Sequence, residues 1–475
     1  MHTLEETFSP TPLQEASDDT LRSEQRVGKY LPRVLSRIDL LVVFIAVVVF
    51  IPDSAVVQTT QAAGPITYVY WLVGTVTFLV PGAIVVAQLN RFLPVDGSIY
   101  VWTHRALGSP WGFFAGFCAW VPGILVLLTA GDFVRSLIQG IGMQSFGTDA
   151  NWLADPWQQG MLVLLMLVVG GWLSTLPLPL LMRWARYSIL LYGLGIFSIG
   201  LAGIVWLLSG HPSQAPLMPT QTSFSSPNFA LYGAIVLALL GIEVPLNMAA
   251  ETRQRSAPAL FLRWGPLLVL VAYLLSTFGV AAVVPASSAG LENSTLVAVR
   301  VVFGPPAAIL VGLIFIGFYV TVTAIYTTSF ARILFVAALD HRLPLAITRV
   351  NRSNVPSRAV HVQIVIVGII AIVIYFIGPV FYPGTNFSVK VYYIIEAATT
   401  VIWCLSMIIL FLDLPFLLQR FRELLAKSRG QLIAPPWLLY LSCIVGGGAS
   451  LVGILTFSHN FRGELVIESI KEKSR

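Results

Sequence analysis

The chain has little charge and few cysteines. Only 11% of its 475 residues are charged and 56% are hydrophobic, whereas about a quarter of a soluble domain is charged. The composition therefore excludes an ordinary soluble protein, and the uneven placement of the net charge of +6 argues against a nucleic-acid surface. Cys118, Cys404 and Cys443 lie in apolar segments without C-x-x-C or metal-ligand spacing, so we expect neither a disulfide framework nor a bound metal.

Catalytic motifs are also missing. The sequence has no H-E-x-x-H, G-x-S-x-G or P-loop spacing, so nothing in it indicates an intramembrane protease or an ATPase. A channel is expected to show a continuous polar stripe or a ring of like charges, which no segment has. A sensor that lost transport is expected to carry a soluble signalling domain, and both tails are short for one. We expect no enzyme and no cofactor.

What the sequence does have is a series of long apolar segments. Eleven are long enough to cross a bilayer, and several are interrupted or overlong. We therefore predict an all-α polytopic membrane protein with about eleven transmembrane helices in the lipid bilayer. The segments, numbered in chain order, are 38–60, 67–90, 111–142, 158–181, 184–209, 228–250, 261–285, 306–339, 359–380, 389–418 and 436–458.

Basic residues are distributed unequally between the two sides of the predicted membrane. With the N-terminus in the cytoplasm, 21 of the 28 lysines and arginines lie on the cytoplasmic side. Only Arg135, Arg300 and Lys390 lie outside before segment 11, and the last four follow that segment. Because cytoplasmic loops are enriched in Lys and Arg, we predict a multi-pass protein of the plasma membrane with a cytoplasmic N-terminus.

Two apolar segments are broken by proline next to a carboxylate. Segment 1 reads Ile-Pro-Asp-Ser at residues 51–54, and segment 6 reads Gly-Ile-Glu-Val-Pro at residues 241–245. Proline lacks an N–H and frees a carbonyl one turn earlier, and unpaired backbone survives at membrane depth only inside protein or beside a wet cavity. Breaks at matching positions of two halves are typical of the central site of a secondary transporter.

Three ordered motifs resemble a known family. They are FLPVDGSIYVWTHRALGSPWGFFAGF (92–117), LALLGIEVPLNMAAETR (237–253) and ARILFVAALDHRLP (331–344). Together they resemble the amino acid–polyamine–organocation permeases over roughly residues 35 to 425. The resemblance implies a five-plus-five inverted repeat of the leucine-transporter type, with broken helices 1 and 6 around the substrate. It implies these divisions: an N-terminal tail (1–37), the first repeat (38–209), the inverted second repeat (228–418), helix 11 (436–458) and a polar C-terminal tail (459–475).

The chain departs from the family pattern at the first break. Many members carry a glycine-rich stretch there, whose N–H groups bind a substrate carboxylate, but this chain has Ile-Pro-Asp-Ser. Some members also place a lysine in helix 5 where relatives bind sodium. Here segment 5 has only Arg183 and Arg186 at its cytoplasmic end. Anchoring of an α-carboxylate is therefore not expected from this turn.

Carboxylates near the two breaks are the first candidate site residues. Asp53, about fifteen residues into segment 1, is interpreted as the counter-ion of a substrate amine, or alternatively as a helix cap together with Ser54. Glu243 either carries a proton or accepts N–H groups of the unwound turn. Gly241, Ile242 and Asn247 complete the candidate substrate site at segment 6.

A stripe on segment 8 supplies the other candidates. Tyr319, Thr323 and Tyr326 lie on one helix face with Phe330, and they are interpreted as cavity residues or as interhelical packing. Glu396 and Tyr326 are candidate gating or coupling residues. The hydroxyls of residues 327–329 (Thr-Thr-Ser) are weaker candidates for a sodium site.

These features predict a secondary active transporter of amino acids or related amines that works by alternating access. Ion coupling and exchange both remain open, and a proton is favoured over sodium because Asp53, Glu243 and Glu396 are available to titrate. The alternative is a polyamine or organic-cation permease in which Asp53 is the amine counter-ion. The sequence leaves the substrate and the oligomeric state open.

Overall fold

The chain is helical throughout the part that the structure describes. A computed structural model of the protein describes residues 21–50, 66–148, 152–215, 226–285, 293–382, 387–423 and 432–473. The α-helices are α1 (Arg22–Tyr30), α2 (Arg37–Val48), α3 (Ile66–Phe92, with a π-helical turn at Thr75–Leu79), α4 (Ser98–Leu107), α5 (Ser109–Ile141), α6 (Pro156–Ser174), α7 (Leu178–Leu208), α8 (Ser226–Ala238), α9 (Ala259–Val283), α10 (Ser294–Phe303), α11 (Pro305–Leu339), α12 (Ser357–Phe381), α13 (Phe387–Arg420) and α14 (Pro436–Lys473). Short 3₁₀ helices cover Val244–Glu251 and Leu345–Thr348.

The membrane-spanning helices agree with the predicted segments. Nine helices of the described residues are long and apolar enough to cross a membrane, and they correspond to segments 2 to 5 and 7 to 11. Segments 1 and 6 are represented by short helices instead, α2 and α8 followed by the 3₁₀ helix. The prediction of an all-α polytopic membrane protein is confirmed.

Two helix boundaries differ from the predicted ones. Segment 4 ends at Ser174 and the next helix already begins at Leu178, because Pro177 and Pro179 stop the first helix and fit the start of the second. Arg183 and Arg186 therefore lie inside α7. At the other end of the chain, α14 continues to Lys473, so the polar C-terminal tail extends the last helix.

Helix α2 begins with a capping box that also binds a neighbouring helix. The Ser36 hydroxyl accepts from the Asp39 N–H, and Asp39 Oδ2 accepts from the Ser36 N–H at 2.8 Å. These bonds satisfy orphan donors at the helix start. The other Asp39 oxygen pairs with Arg186 of α7, at 2.6 Å from Nη2, so the cap also fixes α2 against α7.

The end of α2 is held by tyrosine hydroxyls. The helix ends at Val48, and the predicted break at Pro52–Asp53 lies outside the described residues. The last carbonyls of a helix have no partner within it. Here each accepts from a tyrosine of a different helix: Val47 from Tyr326 of α11 at 2.9 Å, Val48 from Tyr273 of α9 at 2.9 Å, and Val49 from Tyr192 of α7 at 3.0 Å.

Segment 6 is broken as predicted, between Ala238 and Val244. Gly241 has φ +108°, a backbone conformation that L-residues with a Cβ rarely adopt. A Cβ at Gly241 would overlap Val47 of α2, so the glycine also lets the two broken helices approach closely. Pro245 lies in the first turn of the 3₁₀ helix, where its missing N–H costs no helical hydrogen bond.

We predict that Gly241→Ala lowers both thermal stability and transport. The left-handed backbone costs about 1–2 kcal/mol for a residue with a Cβ, and the overlap with Val47 adds to this cost. Gly368→Ala in α12 is the control, because nothing lies within 4 Å of its added Cβ, and alanine favours a helix. Thermal unfolding of the two purified variants checks this, and equal melting temperatures would contradict it.

Candidate functional site

A cavity lies beside the two broken helices. Its walls come from α2, α5, α8, α11 and α13 together with residues that follow α2 and α8. Two features of the lining are chemically distinctive. Four aromatic side chains contribute to it, and so do two threonines and one carboxylate: Phe50, Phe133, Tyr326, Trp403, Thr129, Thr399 and Glu396.

Glu396 is the charged residue among those that line the cavity. It is half-buried, so its carboxylate reaches the cavity without full exposure to water. Helix α13 also contributes Thr399 and Trp403, three and seven residues further on, which is the spacing of one helix face. A single face of α13 therefore presents acidic, hydroxyl and aromatic groups to the same space.

Glu243 lies behind the cavity wall. Its side chain is 1% exposed, and its Oε1 accepts from the indole N–H of Trp403 at 2.8 Å. Its second oxygen has no hydrogen-bond partner among the described residues. Trp403 also meets the ring of Tyr326 edge-on, at 6.5 Å between ring centroids. Trp403 therefore connects the buried acid of the broken helix to the cavity.

Tyr326 lines the cavity and also supports α2. Its ring forms part of the wall, and its hydroxyl donates to the carbonyl of Val47. The sequence did not single out Trp403, Phe50 or Phe133. For Trp403 a signal existed, because it lies seven residues after Glu396 in the same segment; for Phe50 and Phe133 the apolar segments offer no such distinction.

The other candidates at the broken helix are not among the residues that line this cavity. Gly241 lies against Val47 and near the Trp403 ring. Ile242 is buried and packs 3.2 Å from the position of a Cβ on Gly82 of α3. Asn247 accepts from the Ser98 hydroxyl at 2.6 Å through its side-chain oxygen, so it binds the start of α4.

Of the predicted stripe on α11, Tyr326 lines the cavity, whereas Tyr319 and Thr323 are not among the lining residues. The Tyr319 ring packs against Phe50 and Phe133, at 5.8 and 5.4 Å between centroids, and so supports two of the wall residues. The Thr323 hydroxyl donates to the Tyr319 carbonyl at 2.9 Å, and its side chain faces Gly170 of α6. Of its two predicted roles, Thr323 therefore has the one in interhelical packing. Asp53 and Ser54 lie outside the described residues.

Comparison with known proteins agrees with this architecture. The overall structure is similar to that of MhsT in complex with L-phenylalanine, with a TM-score of 0.62 and 17% identity over 90% of this chain and 99% of that one. This likeness supports the inverted-repeat fold. In sequence, the chain is 26% identical over 301 residues to an uncharacterized transporter of Legionella pneumophila. It is 24% identical over 277 residues to a probable agmatine/putrescine antiporter of Lactococcus lactis.

Each of these two alignments covers about three fifths of the proteins concerned. They include 60% and 58% of this chain, and the chain spans 62% and 57% of the length of the respective relatives. The family model described as amino acid permease matches residues 35–461, which include both broken helices and every wall of the cavity. The chain belongs to the amino acid permease family.

Proposed function

We propose that this protein is a secondary active transporter of small organic amines, and that the cavity beside the broken helices is its substrate site. The observation that carries the proposal is the combination of one carboxylate and four aromatic rings in the cavity lining. A buried or half-buried carboxylate favours a cationic group, and aromatic rings attract the same cation through their π faces. Basic side chains are not part of the described lining.

A cationic amine fits this site better than a zwitterion does. A zwitterion needs donors for its α-carboxylate, and residues 51–54 lack the glycine-rich turn that brings bare N–H groups close to a ligand. Asp53 would add a second negative charge at the same break. The name of the Lactococcus relative, a probable agmatine/putrescine antiporter, is consistent with a diamine or a guanidinium amine as substrate.

Coupling to a proton or exchange is the proposed energy source. The Glu243 carboxyl group accepts a hydrogen bond from the indole of Trp403, which lines the cavity. Proton binding at Glu243 would therefore change this hydrogen bond at the wall of the substrate site. Sodium is the second candidate, because the hydroxyls of Thr327, Thr328 and Ser329 are buried without a partner among the described residues. One observation argues against sodium. The carbonyls of Val47 and Val48 at the end of α2 already accept hydrogen bonds from tyrosine hydroxyls, so they are not open ligands for an ion.

The arginine-rich side of the protein is proposed to face the cytoplasm across the plasma membrane. We define this side by α1, α4, the segment before α2 and the turn after α11. Two acidic groups of this side form ion pairs with bases: Glu24 with Arg105 at 2.9 Å and Asp39 with Arg186. Ser23 also binds Asp340 after α11 at 2.8 Å through its N–H. These contacts join the elements of this side, and we propose that the described state is the one closed to the cytoplasm.

We predict that cationic amines inhibit uptake at least as well as the matching zwitterions. In proteoliposomes, putrescine, agmatine and an amino-acid amide are compared with the corresponding amino acids as competitors. Glu396→Gln and Asp53→Asn should each weaken amine binding about tenfold or more, since tenfold is about 1.4 kcal/mol and a lost charge partner costs more than this. Glu423→Gln, an exposed acid at the end of α13, is the control. Normal inhibition by amines in Glu396→Gln and Asp53→Asn would exclude both residues as counter-ions.

Glu243→Gln is predicted to lower proton-driven uptake while exchange continues. Exchange moves no net proton, so only the driven mode needs an acid that titrates. Glutamine keeps an oxygen that accepts from Trp403, which preserves the wall. Uptake under an imposed pH gradient and counterflow without one are measured in the same vesicles. Equal loss of both modes would assign Glu243 a structural or substrate-binding role.

Replacement of sodium by potassium outside the vesicles is predicted to leave uptake unchanged. The proposed coupling uses a carboxyl group, and the carbonyls of Val47, Val48 and Val49 already accept hydrogen bonds from tyrosine hydroxyls. Ser329→Ala is measured beside the wild type under both salts. If uptake is lost in potassium and Ser329→Ala reproduces that loss in sodium, then the coupling ion is sodium.

A further inference from the structure

A second group of charges lies away from the cavity, on the arginine-rich side. Arg332 of α11 pairs with Glu251, the last residue of the 3₁₀ helix, through Nε to Oε1 at 2.8 Å and Nη2 to Oε2 at 3.2 Å. Both side chains are buried, at 0% and 1% exposure. Arg332 lies six residues beyond Tyr326, or about 9 Å along α11 by helical rise. The group is therefore separate from the substrate site.

Asp96 is a second acid in this group. It lies in the turn between α3 and α4 and is 2% exposed. Its Oδ1 accepts from the N–H of Ala250, next to Glu251, at 2.6 Å. Its Oδ2 is buried and has no hydrogen-bond partner among the described residues. The Arg332 guanidinium already donates two hydrogen bonds to the Glu251 carboxylate. Asp96 therefore has no ion-pair partner of its own in the described structure.

The charges in this group do not balance when both acids are ionised. Two carboxylates and one guanidinium would leave an excess negative charge in a site without water contact, which is costly. One proton on Asp96 removes that charge and gives Oδ2 a hydrogen to donate. Among the described residues, Glu251 of the 3₁₀ helix and Arg332 of α11 are the charged groups that act on Asp96, while Ser98 and Asn247 nearby are neutral.

The group joins four elements of the arginine-rich side. The main-chain carbonyl of Glu251 also accepts hydrogen bonds from the backbone N–H groups of Val34 and Leu35, at 2.8 and 2.9 Å. Beside it, Asn247 receives the Ser98 hydroxyl. The segment before α2, the 3₁₀ helix, the α3–α4 turn and α11 thus meet at one place. Any path from the cavity to the cytoplasm along the 3₁₀ helix opens this meeting point and brings water to Asp96.

We propose that Asp96 is a proton-binding site of the cytoplasmic gate: closing the gate takes one proton from the cytoplasm onto the Asp96 carboxylate, and opening returns it. The proton comes from water and goes back to water on the same side, so no net proton crosses the membrane at this site. The proposal rests on alternating access as the function, and it adds regulation of the gate by cytoplasmic pH.

The direction of the pH dependence follows from the environment of Asp96. Burial, and next the negative charge of Glu251, raise the pKa of Asp96 well above its usual range, whereas the Ala250 N–H and Arg332 act in the opposite direction. In the open gate, in water, the pKa returns towards about 3.9. Between these two values closure binds a proton, so the closed fraction falls as the pH rises, by up to about tenfold in the closed-to-open ratio per pH unit.

The gate is measured directly with two spin labels. Ile38 at the start of α2 and Leu345 after α11 are 51% and 53% exposed, so labelled cysteines there report the opening of this side. The buried Cys118, Cys404 and Cys443 are first changed to alanine. Distances are recorded in lipid nanodiscs between pH 5 and 9 without substrate. We expect a growing long-distance population as the pH rises in the wild type, and a closed, pH-independent gate in Asp96→Asn.

Asp413→Asn is the matched control. Asp413 of α13 is equally buried and accepts a single hydrogen bond, from Thr103 at 2.6 Å, and neither residue contacts Asp96, Glu251 or Arg332 through a hydrogen bond or ion pair in the described structure. This variant should keep the wild-type pH dependence. The same pH dependence in Asp96→Asn, or no pH dependence in the wild type, would overturn the proposal, and the wild-type measurement decides even if Asp96→Asn fails to fold. Failure of amine transport would leave these distances unaffected, so the two proposals are tested separately.

Discussion

The structure depends on how the unpaired backbone of two broken helices is satisfied inside a membrane. A polar group without a partner costs several kcal/mol in hydrocarbon, so a break requires donors at fixed places. Tyr273 is the central one: its hydroxyl lies 2.9 Å from the Val48 carbonyl, 3.2 Å from the Ala238 carbonyl and 3.2 Å from the Phe50 N–H. A single phenol thus links the ends of both half-helices, and Trp71 stacks on its ring at 4.0 Å.

This use of side chains also shapes one wall of the cavity, which includes Val47, Phe50 and Tyr326. Because tyrosines from α7, α9 and α11 donate to the carbonyls at the end of α2, this helix can end beside the cavity. Tyr326 performs both tasks, since it holds Val47 and forms part of the wall. A displacement of the Tyr326 side chain would therefore also remove a hydrogen bond from the end of α2.

Much of the fold was predictable because it follows from composition and proline placement. The long apolar spans and the break at residues 241–245 were correctly predicted, since both are local consequences of hydropathy and of missing N–H groups. The site was harder, because side-chain direction depends on packing. Thr323 shares a face with Tyr326 on α11 yet faces Gly170, and Asn247 binds Ser98 although it is four residues from Glu243. Glu251 and Arg332 are 81 residues apart, so no local pattern joins them.

The described acids serve different purposes according to what surrounds them. Glu396 lies in the cavity wall, where a cationic ligand can be its partner. The charge of Glu251 is balanced by the Arg332 guanidinium. Its main-chain carbonyl accepts hydrogen bonds from the segment before α2. Glu243 has one indole donor and Asp96 one backbone donor, so each retains an oxygen that a proton can occupy. One lies at the substrate cavity and the other at the closed side. Under the proposed alternating access, a reversible change is expected at each of these places, and protonation of a carboxyl group provides a small and rapid one.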